Sequence, residues 1–199
     1  MTLLDAKRKF VIETATGLFL ERSIGAVTVK DIAAASGLGE ATIYRYFSGK
    51  GELLVACALG LQEAVVKRFA VEGESLGFEG IERFYMAYLD TFRETPSLYR
   101  FLSEFDAYCI GGGVDLDEYA DNIDRFKEAF TSVYKKGLAD GSVKKVPDPE
   151  LFYYSTAHAL LSLCKKLAAE GALIRQDAAV DKSAEIKTLI GVILSALKA

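Results

Sequence analysis

Apolar residues recur every three to four positions along the chain, which is the spacing of one face of an α-helix. The first such segment places Val11, Ala15 and Phe19 on the same face. No segment alternates apolar and polar residues over the length of a β-strand. The pattern therefore predicts an all-α protein. The expected helices cover residues 4–22, 28–36, 40–47, 52–72, 78–95, 96–110, 115–139, 147–170 and 180–198.

Two of these helices are short and adjacent, and each has its own end signals. Thr28 and Asp31 have the spacing of a capping box, in which hydroxyl and carboxylate each accept a backbone N–H of the other residue. Gly37 can adopt the left-handed conformation that closes a helix. Ile32 and Ile43 are expected to face inward. Two short helices joined by a glycine-containing turn are typical of a helix-turn-helix, whose second helix enters the major groove of DNA.

The charge distribution is compatible with DNA binding by the N-terminal part alone. The chain carries a formal net charge of −4, so it is not basic overall. Residues 1–53 hold seven Lys and Arg against six Asp and Glu, whereas the remainder holds 17 against 22. A locally less acidic head on an acidic body favours binding through the head.

Several classes of protein find no support in the composition. The longest uncharged stretch, residues 151–164, has 14 residues, whereas a membrane-spanning helix needs roughly 20. The charged N-terminus lacks the apolar run of a signal peptide, so we expect a cytoplasmic protein without a membrane segment. Three well-separated cysteines and a single histidine provide no metal spacing and no catalytic motif. We therefore expect no enzyme activity, no catalytic residue, no metal and no cofactor.

The residues of the two short helices are more specific than their spacing. The strings TVKDIAAASGL (28–38) and ATIYRYF (41–47), followed by Lys50 and Leu53, closely resemble the signature of the TetR/AcrR family of transcriptional repressors. The strong resemblance covers residues 10–55. It implies a three-helix DNA-binding head, linked by a fourth helix to a larger helical domain that binds an effector and dimerises.

The resemblance also implies how the protein works. The expected domains are a helix-turn-helix head at residues 1–50 and an effector-binding and dimerisation domain at residues 51–199. Two such heads in a homodimer would bind a palindromic double-stranded DNA operator, and a small molecule would release them. Activation instead of repression would depend on the position of the operator.

Ten residues are candidates for DNA contact. Thr28 and Lys30 begin the first short helix, where backbone amides favour a phosphate. Arg45 has the reach for a guanine edge, and Lys50 resembles a phosphate-binding lysine of the family. Glu40 departs from the family pattern, because its charge repels phosphate unless it reads a cytosine amino group. The full set is Thr28, Lys30, Gly39, Glu40, Ala41, Thr42, Tyr44, Arg45, Tyr46 and Lys50.

The middle helices are rich in aromatic residues. Rings that do not pack at native density would leave a cavity, and tyrosine hydroxyls would be its polar anchors. The alternative is that these rings form an ordinary core and that the histidine is a core or interface residue. The predicted effector is a small, largely apolar or aromatic molecule. Its candidate contacts are Tyr85, Tyr88, Phe92, Phe101, Phe105, Phe126, Phe130, Tyr134 and His158.

Dimerisation is expected through the last two long helices. Segments 151–167 and 186–197 are apolar around most of their circumference, so each must be buried on more than one side. We expect an interface of more than about 2,000 Å² in total. The residues that supply these faces are Leu160, Leu161, Leu163, Leu167, Leu189, Ile190, Val192, Ile193, Leu194 and Leu197.

Two rival functions remain open. The first is an enzyme, which the missing motifs do not favour. The second is a TetR-like DNA-binding protein without a small effector, regulated by another protein or acting as a nucleoid or division factor. An apolar pocket open to solvent would favour the effector-responsive regulator, whereas a solid core would favour the second rival.

Overall fold

The computed structural model of the protein describes residues 3–70, 77–169 and 179–199, without the side chain of Leu3. Within these ranges the chain folds into nine α-helices and no strand, so the predicted all-α fold is confirmed. The helices are α1 Leu3–Glu21, α2 Val29–Ser36, α3 Glu40–Tyr46, α4 Lys50–Phe69, α5 Gly77–Glu94, α6 Pro96–Ile110, α7 Asp117–Ala139, α8 Pro149–Ala168 and α9 Lys182–Leu197.

The ends of α2 carry both predicted signals. The Thr28 hydroxyl accepts the Asp31 amide, and the Asp31 carboxylate accepts the Thr28 amide at 2.8 Å. Gly37 closes the helix in the left-handed region, with φ of 67°. Because both signals act over a few residues, the sequence alone was enough to place them. The predicted ends of α4 at residue 72 and of α8 at residue 170 lie outside the described residues.

The start of α4 differs from the prediction. The helix begins at Lys50, two residues earlier than expected. Gly49 and Gly51 offer no side chain to cap the start of α4. Ser48, the residue before Gly49, provides hydrogen bonds there instead. Its amide and its hydroxyl both donate to the Glu52 carboxylate, at 2.7 Å and 2.9 Å. These bonds fix the turn between α3 and α4 and lower the pKa of Glu52.

Two hydrophobic cores share helix α4. The first half of α4 contributes Leu53 and Cys57 to a core with α1, α2 and α3. Its last residue, Phe69, belongs to a second core formed with α5, α7, α8 and α9. A single helix therefore connects the N-terminal head to the larger helical body. The proposed boundary between residues 50 and 51 falls in the first turn of this helix.

Helix α6 also joins the two cores. Phe101 and Phe105 are fully buried in the core of the head. The rings of Phe19 and Phe101 lie 6.2 Å apart, so α6 packs directly on α1. The head therefore rests on a helix of the body, and its core is completed by residues far away in the sequence.

Helices α5 and α7 approach each other closely at Gly77 and Gly137. A Cβ atom on Gly77 would overlap the Cα of Gly137, and one on Gly137 would overlap the side chain of Val143. We expect Gly137→Ala to lower the free energy of unfolding by about 3 kcal/mol, because backbone and core must shift apart. Urea denaturation followed by circular dichroism measures this change.

Gly60→Ala provides the matched control for this prediction. Gly60 is exposed in α4, and a Cβ atom on it would have no neighbouring atom within 4 Å. Alanine is a better helix former, so this variant should gain up to about 1 kcal/mol of stability. Equal stability of both variants would show that Gly137 is not in close contact with the side chain of Val143.

Candidate nucleic-acid interface and effector cavity

Helix α3 presents a polar and aromatic face to solvent. Ile43 and Phe47 are buried and hold the helix against the head, as the sequence predicts. On the opposite side Tyr44 is 52% exposed, and Arg45 is exposed as well. Glu40 and Ala41 are exposed in the first turn, after the extended Gly39. This short helix therefore has one anchored face and one face available to a groove of DNA.

Arg45 is positioned by its neighbour. Its guanidinium carbon lies 5.3 Å from the centroid of the Tyr46 ring, and one terminal nitrogen is 3.5 Å from the Tyr46 hydroxyl. A cation over an aromatic face is attracted by the negative charge of the ring. Tyr46 and Thr42 are half-buried, so they flank the exposed residues. The arrangement gives Arg45 a preferred direction along the surface.

The start of α2 combines a satisfied cap with an exposed lysine. The Thr28 hydroxyl donates to the Asp31 carboxylate at 2.6 Å and accepts the Asp31 amide at 3.2 Å. These bonds to Thr28 hold the pKa of Asp31 below its usual value. Lys30 is exposed beside them. A phosphate at this helix end would meet Lys30 directly, whereas Thr28 is already engaged in the cap.

Lys50 has an internal role in this structure. It is half-buried, and its ammonium donates to the backbone oxygen of Ile24 at 2.5 Å. The same nitrogen lies 6.0 Å from the centroid of the Phe19 ring. Burial lowers the pKa of Lys50. The side chain thus fastens the 3₁₀ turn Ile24–Ala26 to the start of α4, and its contact with DNA stays a prediction.

Arg8 is a further cation beside α3 that sequence reasoning missed. Its guanidinium carbon lies 4.9 Å from the centroid of the Phe47 ring, and the side chain is exposed. The only signal in the sequence was that Arg8 lies one turn before Val11, which belongs to the buried face of α1. Which ring it would meet depended on how α1 and α3 pack. Arg8 joins the candidate phosphate contacts.

Two charged residues of α6 hold the opposite side of the head. Arg100 donates to the backbone oxygen of Leu20 at 2.6 Å. The Glu104 carboxylate accepts the backbone N–H of Ile24 at 2.5 Å. Together with Lys50, these contacts tie the end of α1 to both connecting helices. A displacement of α6 would therefore move the head.

The body contains a cavity of about 180 Å³ between α4, α6, α7 and α8. Its walls are mainly aliphatic and aromatic. None of the described residues that line it is Lys, Arg, Asp or Glu. Ile123 and His158 line the cavity and are also exposed to solvent, so the cavity opens between α7 and α8. The lining residues are Leu61, Gln62, Val65, Phe69, Tyr88, Leu98, Tyr99, Leu102, Tyr119, Ile123, Phe126, Tyr153, Tyr154, Ala157, His158 and Leu161.

The predicted effector contacts divide into three groups. Tyr88, Phe126 and His158 line the cavity. The remaining six do not, because helical periodicity indicates a buried face without saying what that face meets. Phe101 and Phe105 pack in the core of the head. Those packed in the core of the body are Tyr85, Phe92, Phe130 and Tyr134.

One end of the cavity is polar. Gln62 on α4 is 7% exposed, and its side-chain oxygen accepts a hydrogen bond from the Asn122 amide of α7 at 3.2 Å. Arg125 in turn donates to the Asn122 oxygen at 2.8 Å. Burial raises the pKa of the neighbouring Tyr119 hydroxyl, which is therefore neutral at physiological pH. These residues were not predicted from the sequence, since isolated polar residues on helices are usually exposed.

The outer faces of α8 and α9 differ from the predicted dimer surface. Most of the predicted residues are buried or half-buried within the subunit, whereas Val192 is 63% exposed. The exposed positions between residues 155 and 162 of α8 and between 188 and 195 of α9 carry small or uncharged side chains, and exposed Lys166 and Lys187 lie beside this stripe. Its members are Ser155, His158, Ala159, Ser162, Thr188, Gly191, Val192 and Ser195.

In the part of the chain that the structure covers, no helix has the length and apolarity to cross a membrane.

An exposed helix-turn-helix on a larger helical body is typical of DNA-binding regulators in which one polypeptide carries both domains. Residues 11–57 match the model of the bacterial regulatory proteins of the tetR family. Together with the whole-chain fold, this match confirms the resemblance noted in the sequence. The N-terminal region of this chain therefore carries the DNA-binding module of the tetR-family regulators, and the whole chain shares the fold of solved tetR-family proteins.

The similar proteins are transcriptional regulators. The repressor KstR2 of Mycobacterium tuberculosis is 21% identical over 151 residues, which cover 75% of each chain. Its solved structure matches 96% of this chain and 95% of its own, with a TM-score of 0.63 and 17% identity. PfmR of Thermus thermophilus matches 95% of this chain and 99% of its own, with a TM-score of 0.66 and 22% identity. At these identities the structural likeness shows the fold.

Proposed function

We propose that the protein is a homodimeric repressor that binds a palindromic operator and releases it when a small, largely apolar molecule enters the body cavity. The observation that carries this proposal is the position of α4. Its first half lies in the core of the DNA-binding head, and its second half contributes Gln62, Val65 and Phe69 to the cavity wall. A repressor of this kind acts on DNA in the cytoplasm.

The DNA-binding part of the proposal rests on α3. Its exposed face carries Tyr44 and Arg45, whose donors suit phosphates and a guanine edge. The cations of Arg8 and Lys30 flank this face and suit the phosphate backbone. The head at residues 1–50 would read a half-site, and residues 51–199 would hold two heads together. Two heads related by a two-fold axis read inverted half-sites.

The dimerisation part rests on the outer stripe of α8 and α9. Thr188, Gly191 and Val192 leave this side of α9 without a charge, and the exposed residues between Ser155 and Ser162 do the same for α8. A second copy of the same stripe would bury it in an isologous interface. Short side chains allow four helices to approach closely across the two-fold axis. The interior positions of both helices meanwhile serve the core of the subunit.

The switch would be a shift between two populated conformations. A ligand moves such an equilibrium only by as much as it prefers one conformation over the other. Filling the cavity would displace α4 and α6, and both helices hold the head. A coupling of about 3 kcal/mol would lower operator affinity by roughly 150-fold, which is sufficient for induction.

The chemistry of the cavity favours a ring-bearing effector over control by another protein alone. Its wall is apolar and aromatic and opens to solvent, as a ligand site requires. KstR2, which has this fold, is described as a ketosteroid transcriptional regulator, and ketosteroids are apolar ring compounds. Activation instead of repression would leave every step of this description unchanged except the position of the operator.

Selection of operator sequences from random DNA duplexes tests the proposal. We expect the enriched sequences to be inverted repeats, because two identical heads related by two-fold symmetry contact equivalent half-sites. The half-site centres should lie one helical turn or a multiple of it apart, about 34–36 Å per turn. Enrichment of an isolated half-site, or of no sequence at all, would contradict the proposed dimeric operator complex.

A further inference from the structure

The body cavity has a buried amide, that of Gln62, at one end of a wall made mainly of aliphatic and aromatic side chains, and this combination restricts its ligand. We infer that the cavity takes an uncharged molecule of one or two rings that carries one hydroxyl or carbonyl group, bound by Gln62 beside Tyr119. The regulatory consequence of this binding rests on the proposed function, whereas the binding itself does not.

The volume sets the size of the ligand. An apolar cavity of about 150 Å³ in a protein interior takes a benzene molecule. The present cavity measures about 180 Å³. One aromatic ring or a compact pair of fused rings therefore matches the size of this cavity. Phe69 packs edge-to-face against Tyr88 and Phe126, with ring centroids 4.8 Å and 5.0 Å away, so three connected aromatic rings line this volume.

The lining excludes a charged ligand. A carboxylate that leaves water for such a site loses hydration worth several kcal/mol, which only a nearby cation can offset. The described lining offers no Lys or Arg, and burial raises the pKa of Tyr88 and Tyr99, so these hydroxyls remain neutral. His158 stands at the exposed mouth. Arg125 binds Asn122 and does not line the cavity.

The polar end selects the ligand's single polar group. A side-chain amide offers two N–H donors and an oxygen that accepts twice. Gln62 is buried and lines the cavity; its oxygen accepts one bond from Asn122, and its side chain also hydrogen-bonds the Tyr119 hydroxyl, which leaves one donor and one acceptor position for a ligand. Elsewhere in the wall, Tyr99 donates to the Tyr88 carbonyl and Tyr154 accepts from Lys127. We place the hydroxyl or carbonyl of the ligand at Gln62, because a side-chain amide has more donor and acceptor positions than the other lining hydroxyls, those of Tyr88 and Tyr153.

The same contact has a regulatory consequence. Gln62 belongs to α4, which reaches into the head, and Asn122 belongs to α7 of the body. The bond between them, 3.2 Å long, is a direct polar tie between these helices inside the body. A ligand that hydrogen-bonds the remaining donor and acceptor positions of Gln62 draws this side chain towards the cavity and weakens the tie. Binding would thus loosen α4 from α7 and shift the head.

Three probes with the same fused rings test the inference on the full chain: naphthalene, 2-naphthol and 2-naphthoate. Isothermal titration and thermal-shift measurements without DNA report binding alone. We expect 2-naphthol to bind about fivefold more tightly than naphthalene, because it gains one hydrogen bond to a buried amide. The anion 2-naphthoate should bind about a hundredfold more weakly than 2-naphthol, or not detectably.

The Gln62→Leu variant distinguishes a specific hydrogen bond from nonspecific hydrophobic binding. This variant keeps the side-chain volume and should bind naphthalene and 2-naphthol equally. The matched control is Glu63→Leu, which changes the neighbouring exposed residue of α4 and should retain the preference for 2-naphthol. Circular dichroism confirms that both variants are folded.

The outcomes distinguish this inference from the proposed function. Tighter binding of 2-naphthoate, a preference that survives in Gln62→Leu, or binding of none of the probes would overturn the inference and leave DNA binding unaffected. Binding with the expected preference, but without release of the selected operator, would support the ligand class and contradict the proposed switch. Release of the operator by 2-naphthol, and not by 2-naphthoate, supports both.

Discussion

Val192→Glu is expected to yield a folded monomer that has lost its affinity for operator DNA. Val192 is exposed at the centre of the uncharged stripe on α9 and touches little within its own subunit. In the proposed dimer it would be buried near the two-fold axis, so the substitution places two carboxylates close together without partners. An unpaired buried charge costs several kcal/mol. The dimer should therefore dissociate about a thousandfold more readily.

Sedimentation velocity at micromolar concentration measures the dissociation, and fluorescence anisotropy with labelled operator measures the loss of DNA binding. Linking two binding modules raises their joint affinity by about 10² to 10⁴, so a monomer should lose a comparable factor. Ile110→Glu is the matched control, because Ile110 is 87% exposed at the end of α6 and lies on neither α8 nor α9. A Val192→Glu protein that remains a dimer would place the interface elsewhere.

The double variant Tyr44→Ala and Arg45→Ala is expected to lose operator binding while its fold and dimer persist. Both side chains are exposed, so their removal leaves the core of the head intact. A bidentate arginine–guanine contact is worth about 1–3 kcal/mol of discrimination. With two heads per operator, we expect the affinity to fall by about a hundredfold or more. Arg45→Ala alone should also relax the preference at one base pair in each half-site.

Anisotropy titrations at one fixed salt concentration are the appropriate measurement, since phosphate contacts make affinity strongly salt-dependent. Arg93→Ala serves as the control, because Arg93 is an exposed arginine of α5 in the body. It should bind the operator as the unaltered protein does. If the α3 double variant also retained full affinity and the same base preference, α3 would not be the recognition helix.

Local features of this fold were predictable because they depend on neighbours in the sequence. The capping box at Thr28 and Asp31 and the left-handed Gly37 are both present as expected. The buried face of α1 is likewise formed by Val11, Ala15 and Phe19. Hydrogen bonds that span three or four residues, and a helical repeat of 3.6 residues, are set by order along the chain. The family signature between residues 28 and 53 extended this local information to a function.

The partners of each buried face were not predictable in the same way. Phe101 and Phe126 look alike in the sequence, but Phe101 completes the core of the head and Phe126 lines the cavity. Likewise, Val192 was one of ten apolar residues on two helices, and only packing shows that it stays exposed while Ile190 and Ile193 are buried. Periodicity identifies a face of a helix, whereas its neighbour depends on how several helices are arranged at once.

Gly51 and Lys50 show the same difference between what the sequence determines and what only the tertiary structure determines. The sequence by itself determined that Gly51 lies near the start of α4 and that Lys50 resembles a family lysine. Only the tertiary structure placed Val114 so close to Gly51 that a Cβ atom there would lie 2.7 Å from its side chain. It also turned Lys50 towards Ile24, across 26 residues of sequence. Such contacts join segments distant in the chain, so their energies depend on the whole arrangement and cannot be read from local order.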